Sequence, residues 1–249
     1  MIKILAIGNS FSQDATRYLY GIARADGVQV KVVNLYIGGC SLYRHYRNML
    51  SGEKAYSYEI DGISSGLFVS MKEALLSDEW DIVTLQQCSA ESFREESYEP
   101  YLSRLAAFVR EYAPAAKLYL HKTWAYENGC PKIARVGAES AEQMLRDLTV
   151  AYEKAAERIS ADGIIPSGDA MYLLHGELLK LERSAFRDTF HASLTLGRYL
   201  LGLVWYGTLL SGDPALSTFS DLDKRESDSC LTLVREIAAE VVRGRRAEL

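Results

Sequence analysis

The sequence predicts an α/β fold in which a parallel sheet is covered by helices on both faces. Three observations carry this. Short apolar runs alternate with segments of helical periodicity from the first residues onward. The runs are hydrophobic nearly throughout rather than at every second position, as strands buried on both faces must be. The 249 residues are 48% hydrophobic, enough for one large core.

The elements follow in order. Ile2–Ile7 reads as the first strand. Gln13–Ala25 repeats Ala15, Tyr18, Leu19, Ile22 and Ala23 on one helical stripe and ends at Asp26-Gly27. Val28–Tyr36 is the second strand, β-branched at Val28, Val30, Val32 and Val33. Gly38-Gly39 marks a turn, followed by a short helix near Leu42–Leu50. Residues 52–69, with Tyr56, Tyr58 and Ile60 alternating, read as a hairpin insertion. A short helix is expected at Met71–Leu76, the third strand at Asp81–Gln86, a helix at Tyr98–Tyr112 closed near Pro114, and the fourth strand at Lys117–His121. Residues 122–138, containing Trp124, Gly129, Pro131 and Gly137, read as a long loop of the kind that carries function. Then come a helix at Ala138–Ser160, a fifth strand at Gly163–Pro166, a helix at Asp169–Leu179, a loop over 183–191, a helix from Leu194 to Leu210 and a last helix at Leu231–Val242. With no linker, repeat or low-complexity stretch, residues 1–249 are expected to be a single domain.

Composition narrows the function classes. The net charge of -5 and the lack of a basic stripe argue against a nucleic-acid partner. The Arg-Gly-Arg-Arg run at 243–246 reads as a solvated helix end, where cations suit the helix dipole. Cys40, Cys88, Cys130 and Cys230 are scattered, with no C-x-x-C pair, so neither a zinc site nor a disulfide framework is expected. The run at Ile2–Ile7, broken by Lys3, is too short for a secretory leader. Leu194–Leu210 carries Arg198 and three glycines, and is short for a bilayer span. A cytoplasmic protein without a membrane partner is the expectation.

In a sheet of this type, ligands bind outside the carboxyl ends of the strands. Ser10 follows strand one, Gly38-Gly39 strand two, Gln86, Gln87 and Ser89 strand three, and His121 and Trp124 strand four. The loop carrying Asp188-Thr189-Phe190-His191 can cross the same rim. A serine is a weak nucleophile until a base takes its proton. Imidazole titrates near neutral pH and suits that task, and a carboxylate on its other nitrogen fixes the tautomer. Ser10, His191 and Asp188 supply these parts. The N–H groups of Ser10 and Gly39 and the amide of Gln86 are candidate donors to a developing oxyanion. Asn9, Gln87 and Trp124 are candidate substrate contacts, Trp124 as a sugar platform. Each motif alone has a plainer explanation: Ser10 or Ser12 as a helix cap, Asp-x-x-His as a surface turn, Trp124 as core. The conjunction and its order carry the information.

That order resembles the SGNH/GDSL-like hydrolase superfamily. Its strand followed by Gly-Asp-Ser is matched by Gly8-Asn9-Ser10, its glycine after strand two by Gly38 or Gly39, and its Asp-x-x-His by Asp188–His191. The chain departs from it in carrying Asn9 for aspartate. Leu85-Gln86-Gln87-Cys88-Ser89 stands where Gly-x-Asn-Asp is usual. Together with Gly-Asn-Ser-Phe-Ser and Phe-His-Ala-Ser, this looks like a poorly characterised bacterial branch of the superfamily. The resemblance implies a flavodoxin-like, three-layer α/β/α sandwich. It also implies a cofactor-free, metal-free serine hydrolase that cleaves small acyl esters, acetyl above all, with an acetylated sugar as a candidate substrate. Glutamine would replace asparagine in the oxyanion hole, as Gln86 or, in the other register, Gln87. Two rivals are a non-catalytic carbohydrate or phosphate binder on the same fold, and a metal-dependent hydrolase built on Asp188, His191 and His121.

Overall fold

In the computed structural model the structure describes residues 1–248, with side chains through 244. Arg245 and Arg246 of the basic run lie outside the described side chains. Among the described residues, strands β1 (Ile2–Gly8), β2 (Val30–Tyr36), β3 (Tyr56–Ile60), β4 (Ile63–Val69), β5 (Ile82–Leu85), β6 (Lys117–His121) and β7 (Gly163–Ile165) form one sheet in the order β4-β3-β2-β1-β5-β6-β7. The five strands from β2 to β7 in that order are parallel, and β3 and β4 are antiparallel additions at the β2 edge.

After β1 the chain crosses to β2 on one side, then returns past β1 to β5 on the other. The strand order therefore reverses at β1, and a crevice opens beyond its carboxyl end. Gly8 pairs with Tyr36, and Ile7 with both Leu35 and Leu85, so the three strand ends are level at that crevice.

Helices α1 (Ser10–Thr16), α2 (Leu19–Ala25), α3 (Leu42–Ser51), α4 (Met71–Leu76), α5 (Tyr101–Tyr112), α6 (Pro131–Val136), α7 (Ala141–Ile159), α8 (Ser167–Leu179), α9 (Leu196–Leu209) and α10 (Asp228–Glu248) complete the fold. α1, α2, α8 and α10 pack around α9 on one face, while α3, α4, α5 and α7 pack together on the other. This is the three-layer α/β/α arrangement. α9 is buried almost all round, with Leu200, Leu201, Leu203, Val204 and Trp205 fully covered, which explains why its sequence is apolar on every side. Among the described residues no helix is long and apolar enough to cross a membrane.

Three details differ from the sequence expectation. The first helix begins at Ser10, not Gln13, and breaks at Arg17-Tyr18. At that break Gly62 of the β3–β4 turn, at φ +80°, lies so close that a Cβ would stand 2.5 Å from the Arg17 carbonyl oxygen. The 122–138 segment contains α6, with Pro131 in its first turn and Gly137 in the left-handed conformation at its end. Pro and Gly were punctuation for a helix there, not signs of an open loop. The hairpin does not stand apart. β3 extends the main sheet, pairing Asn34 with Glu59, and its register with β4 slips at Tyr58/Glu59.

Candidate active site

Gly8 ends β1 where a side chain cannot fit, since a Cβ would meet Gln86 Oε1 at 2.8 Å. The chain then turns at Asn9, whose side-chain oxygen accepts the Phe11 N–H at 3.0 Å and caps α1. Ser10 is thereby the first residue of the helix, at the mouth of the crevice. The Ser12 hydroxyl lies 2.9 Å from Asn9 O and 2.7 Å from Asn34 Oδ1, pinning the turn from beneath. Glu59, buried on β3, accepts from Asn34 Nδ2 at 2.7 Å and from Gln13 Nε2 at 2.5 Å.

The segment before α9 delivers the other two groups. It is folded back on itself: Phe186 bridges Ala192, and the Arg187 N–H donates to His191 O at 3.0 Å. Asp188 Oδ1 accepts the His191 N–H at 2.8 Å, and its Oδ2 lies 2.7 Å from His191 Nδ1. His191 Nε2 lies 2.9 Å from Ser10 Oγ. Partial burial pushes the Asp188 carboxyl up, but the hydrogen bonds from His191 outweigh it and the net shift is downward. Asp188 is held as a carboxylate, and a carboxylate on Nδ1 leaves Nε2 of the neutral ring as an acceptor facing the serine. The ring of Phe190 lies 3.9 Å from the His191 ring, centroid to centroid.

A pocket of about 370 Å³ opens over this chain, lined among others by Ser10, Gly39, Cys88, Ser89, Arg187 and His191. Gly39 has φ +60°, the left-handed conformation that glycine adopts freely. Neither the Ser10 nor the Gly39 N–H donates to a protein acceptor among the described residues. Chemically, the arrangement offers a hydroxyl with a base on it, a carboxylate behind the base, and two backbone donors on the same pocket.

The other predicted residues fall elsewhere. The Gln86 side chain is buried behind Asn9: Nε2 donates to Asn9 Oδ1 at 2.8 Å, and Oε1 faces His121 Nδ1 at 2.8 Å. It does not line the pocket, because both ends of its amide are already engaged. Gln87 is also buried, accepting from the Leu42 N–H at 2.9 Å and donating to Ser97 O at 3.1 Å, so it ties β5 to the start of α3. Trp124 is fully buried, stacked on Phe11 at 3.8 Å with Nε1 donating to Phe190 O at 2.7 Å. It is a wall beneath the site, not a platform in it. Asn9 lines the pocket, but its side chain is committed to Phe11, Gln86 and, through Nδ2, the Cys40 carbonyl at 3.1 Å.

His121 follows strand four as expected but lies behind the pocket rather than on its rim, and Asp14 escaped the sequence reading. His121 is fully buried between Gln86 and Ser167, 3.0 Å from Ser167 Oγ, and burial pushes its pKa down to about 3. It is therefore neutral. Nδ1–H donates to Gln86, and Nε2 accepts from Ser167. Asp14, buried in α1, takes Arg187 Nη1 at 2.9 Å and Arg198 Nε at 2.8 Å, which locks the nucleophile helix to the loop and to α9. One signal could have found Asp14: a carboxylate beside Ala15 and Phe11 on the apolar stripe needs a partner.

A family model described as "Domain of unknown function (DUF4886)" matches residues 3–232. No curated protein matches the chain. Among solved structures, a DUF4886 family protein from Bacteroides uniformis is 29% identical, with a TM-score of 0.89 over 100% of this chain and 99% of that one. A candidate SGNH hydrolase from Slackia heliotrinireducens is 22% identical, with a TM-score of 0.57 over 84% of this chain and 98% of that one. A family 3 carbohydrate esterase from Clostridium thermocellum is 12% identical, with a TM-score of 0.51 over 84% of this chain and 96% of that one. The fold is thus that of the SGNH hydrolases.

Proposed function

Because the chain belongs to the DUF4886 family and shares the SGNH hydrolase fold, we propose that it is a serine hydrolase of small acyl esters, working through Ser10, His191 and Asp188. The observation that carries the reading is the hydrogen-bonded chain itself. Its steps of 2.9 Å from Ser10 to His191 and 2.7 Å from His191 to Asp188 open on a solvent-accessible pocket.

In this reading Ser10 Oγ attacks the ester carbonyl while His191 Nε2 takes its proton. The imidazolium so formed is stabilised by Asp188, which stays ionised. The oxyanion is met by the N–H groups of Ser10 and Gly39, whose lack of other acceptors leaves them available. His191 then protonates the departing alcohol oxygen, an acyl-Ser10 remains, and water attacks it by the same route in reverse. Gln86 and Asn9 form the frame that keeps the Ser10 turn in place. The acyl group is taken to be acetyl and the alcohol a carbohydrate. The pocket is small, and one fold relative is a carbohydrate esterase.

The test is hydrolysis of p-nitrophenyl acetate by the purified protein, with Ser10→Ala as control. Turnover that disappears in Ser10→Ala, together with labelling of Ser10 by an organophosphonate, supports the reading. Turnover unaffected by Ser10→Ala refutes it.

A further inference from the structure

The Arg187 guanidinium has two edges with different partners. Nη1 donates to both oxygens of Asp14, at 3.0 and 2.9 Å, and to the carbonyl of Ala192 at 2.5 Å. Nε and Nη2 have no acceptor among the described residues. These two nitrogens form the side-on edge of the fork. In the same chain Arg17 uses that edge on Asp223, with Nε at 3.3 Å from one oxygen and Nη2 on the other. Arg187 lines the pocket that holds Ser10 and His191, and its side chain is 26% exposed. An unoccupied Nε/Nη2 edge matches a planar group with two oxygens.

The local charge balance points the same way. Asp14 is fully buried and shares its one negative charge between Arg187 and Arg198. Arg198 also stands 3.9 Å from Asp223, which Arg17 already pairs. Three guanidiniums therefore face two carboxylates, and the one open to the pocket is Arg187. Its neighbour Asp188 turns both oxygens to His191. The Asp14 clamp also fixes the guanidinium before any ligand arrives, so little conformational entropy remains to be lost on binding.

We infer that Arg187 is a substrate-binding residue that grips a carboxylate. The preferred esters are then those of acid-bearing molecules, such as an acylated sugar acid, rather than of neutral sugars. This rests on the serine hydrolase reading above. The carboxylate could sit on the alcohol half or on the acyl half, and two matched pairs separate these. The first is O-acetyl glucuronic acid against O-acetyl glucose. The second is the p-nitrophenyl hemiester of succinic acid against p-nitrophenyl butyrate.

At low salt, the acid member of at least one pair should exceed its neutral partner in kcat/KM by about 10-fold or more, the range of one charge-assisted hydrogen-bonded contact. The pair that shows this names the half that carries the acid. The advantage should shrink as salt is raised, because the site is open to solvent. Arg187→Gln should bring the acid-to-neutral ratio close to one, and Arg187→Lys, which keeps the charge but not the fork, should retain part of it. A ratio within one enzyme preparation does not depend on how much of the variant is folded. Neutral esters cleaved as fast as their acid partners by the wild-type protein would overturn the inference and leave the hydrolase reading standing. If p-nitrophenyl acetate is cleaved but none of the four esters is, the inference falls alone; if p-nitrophenyl acetate is not cleaved either, both fall.

Discussion

Gln86 donates its amide to the side-chain oxygen of Asn9 at 2.8 Å, and that one bond links the end of β5 to the turn that presents Ser10. Behind it the bonds run in a single direction: Ser167 to His121, His121 to Gln86, Gln86 to Asn9, Asn9 to the Cys40 carbonyl. Asn9 Oδ1 also accepts the Phe11 N–H, so it must be the oxygen, which fixes the orientation of every group in the line.

A glutamine with that role should act on stability as well as rate. Gln86→Leu leaves the His121 Nδ1–H without an acceptor in a dry interior, at about 1–3 kcal/mol. Urea unfolding of the variant should show that loss, with reduced turnover alongside it. Wild-type stability with turnover down by about 10²–10³ would instead make Gln86 an oxyanion donor.

The three residues of the chain from Ser10 to Asp188 should behave as a unit. Ser10→Ala and His191→Ala should each lower kcat on a simple acetyl ester by on the order of 10⁴–10⁶, and the double variant should be scarcely worse. Asp188→Asn should cost a similar or smaller factor, since it impairs the tautomer and the charge rather than the attacking atom. Losses that multiply in the Ser10/His191 double variant would show that the two residues do not share a step.

Trp124 should matter to the fold and not to substrate affinity. Trp124→Phe keeps an aromatic ring against Phe11 but removes the donor to Phe190 O, and should destabilise by about 1–3 kcal/mol. KM for acetylated sugars should stay within about twofold of wild type. A KM rise near 10-fold, or about 1.4 kcal/mol of lost binding, with unchanged stability would restore Trp124 as a sugar contact.

Acid should unfold the protein earlier than its carboxylates require. His45 and His121 are fully buried, and desolvation pushes each pKa from 6.5 down to about 3. Between those values the unfolded chain binds the protons and the folded one does not. The stability from keeping them neutral is fully present above pH 6.5 and is lost as pH falls toward 3. The slope is about 1.4 kcal/mol per pH unit for each histidine. Denaturation midpoints measured from about pH 7.5 down to about 4.5 should fall accordingly, and His45→Gln should flatten the decline.

Much of this was legible in the sequence because periodicity and order survive without a partner. Unbroken apolar runs such as Ile4–Ile7 identify doubly buried strands, and Gly8-Asn9-Ser10 with Asp188–His191 locates the two ends that meet. What stayed hidden depends on direction. Nothing local to Gln86 or Gln87 says which way an amide at the end of β5 will face. The answer lies in Asn9, His121, Leu42 and Ser97, far away in sequence. Trp124 was ambiguous for the same reason, since the ring that covers it belongs to Phe11. The break at Arg17 was invisible because the residue packed against it, Gly62, sits on a hairpin some 45 residues on.

That hairpin has a consequence for how the site endures. Glu59 reaches from β3 under α1 to hold Gln13 directly and Ser12 through Asn34, while the β4 strand outside it is exposed along nearly its whole length. The sheet margin with the least cover thus guards the backbone beneath the nucleophile. Fraying of that margin withdraws a carboxylate from two amides and slackens the Ser10 turn without disturbing α9 or the central strands. Warming that frays this outermost ribbon is therefore expected to cost turnover before the central strands open, an order that hydrogen exchange read beside activity would reveal.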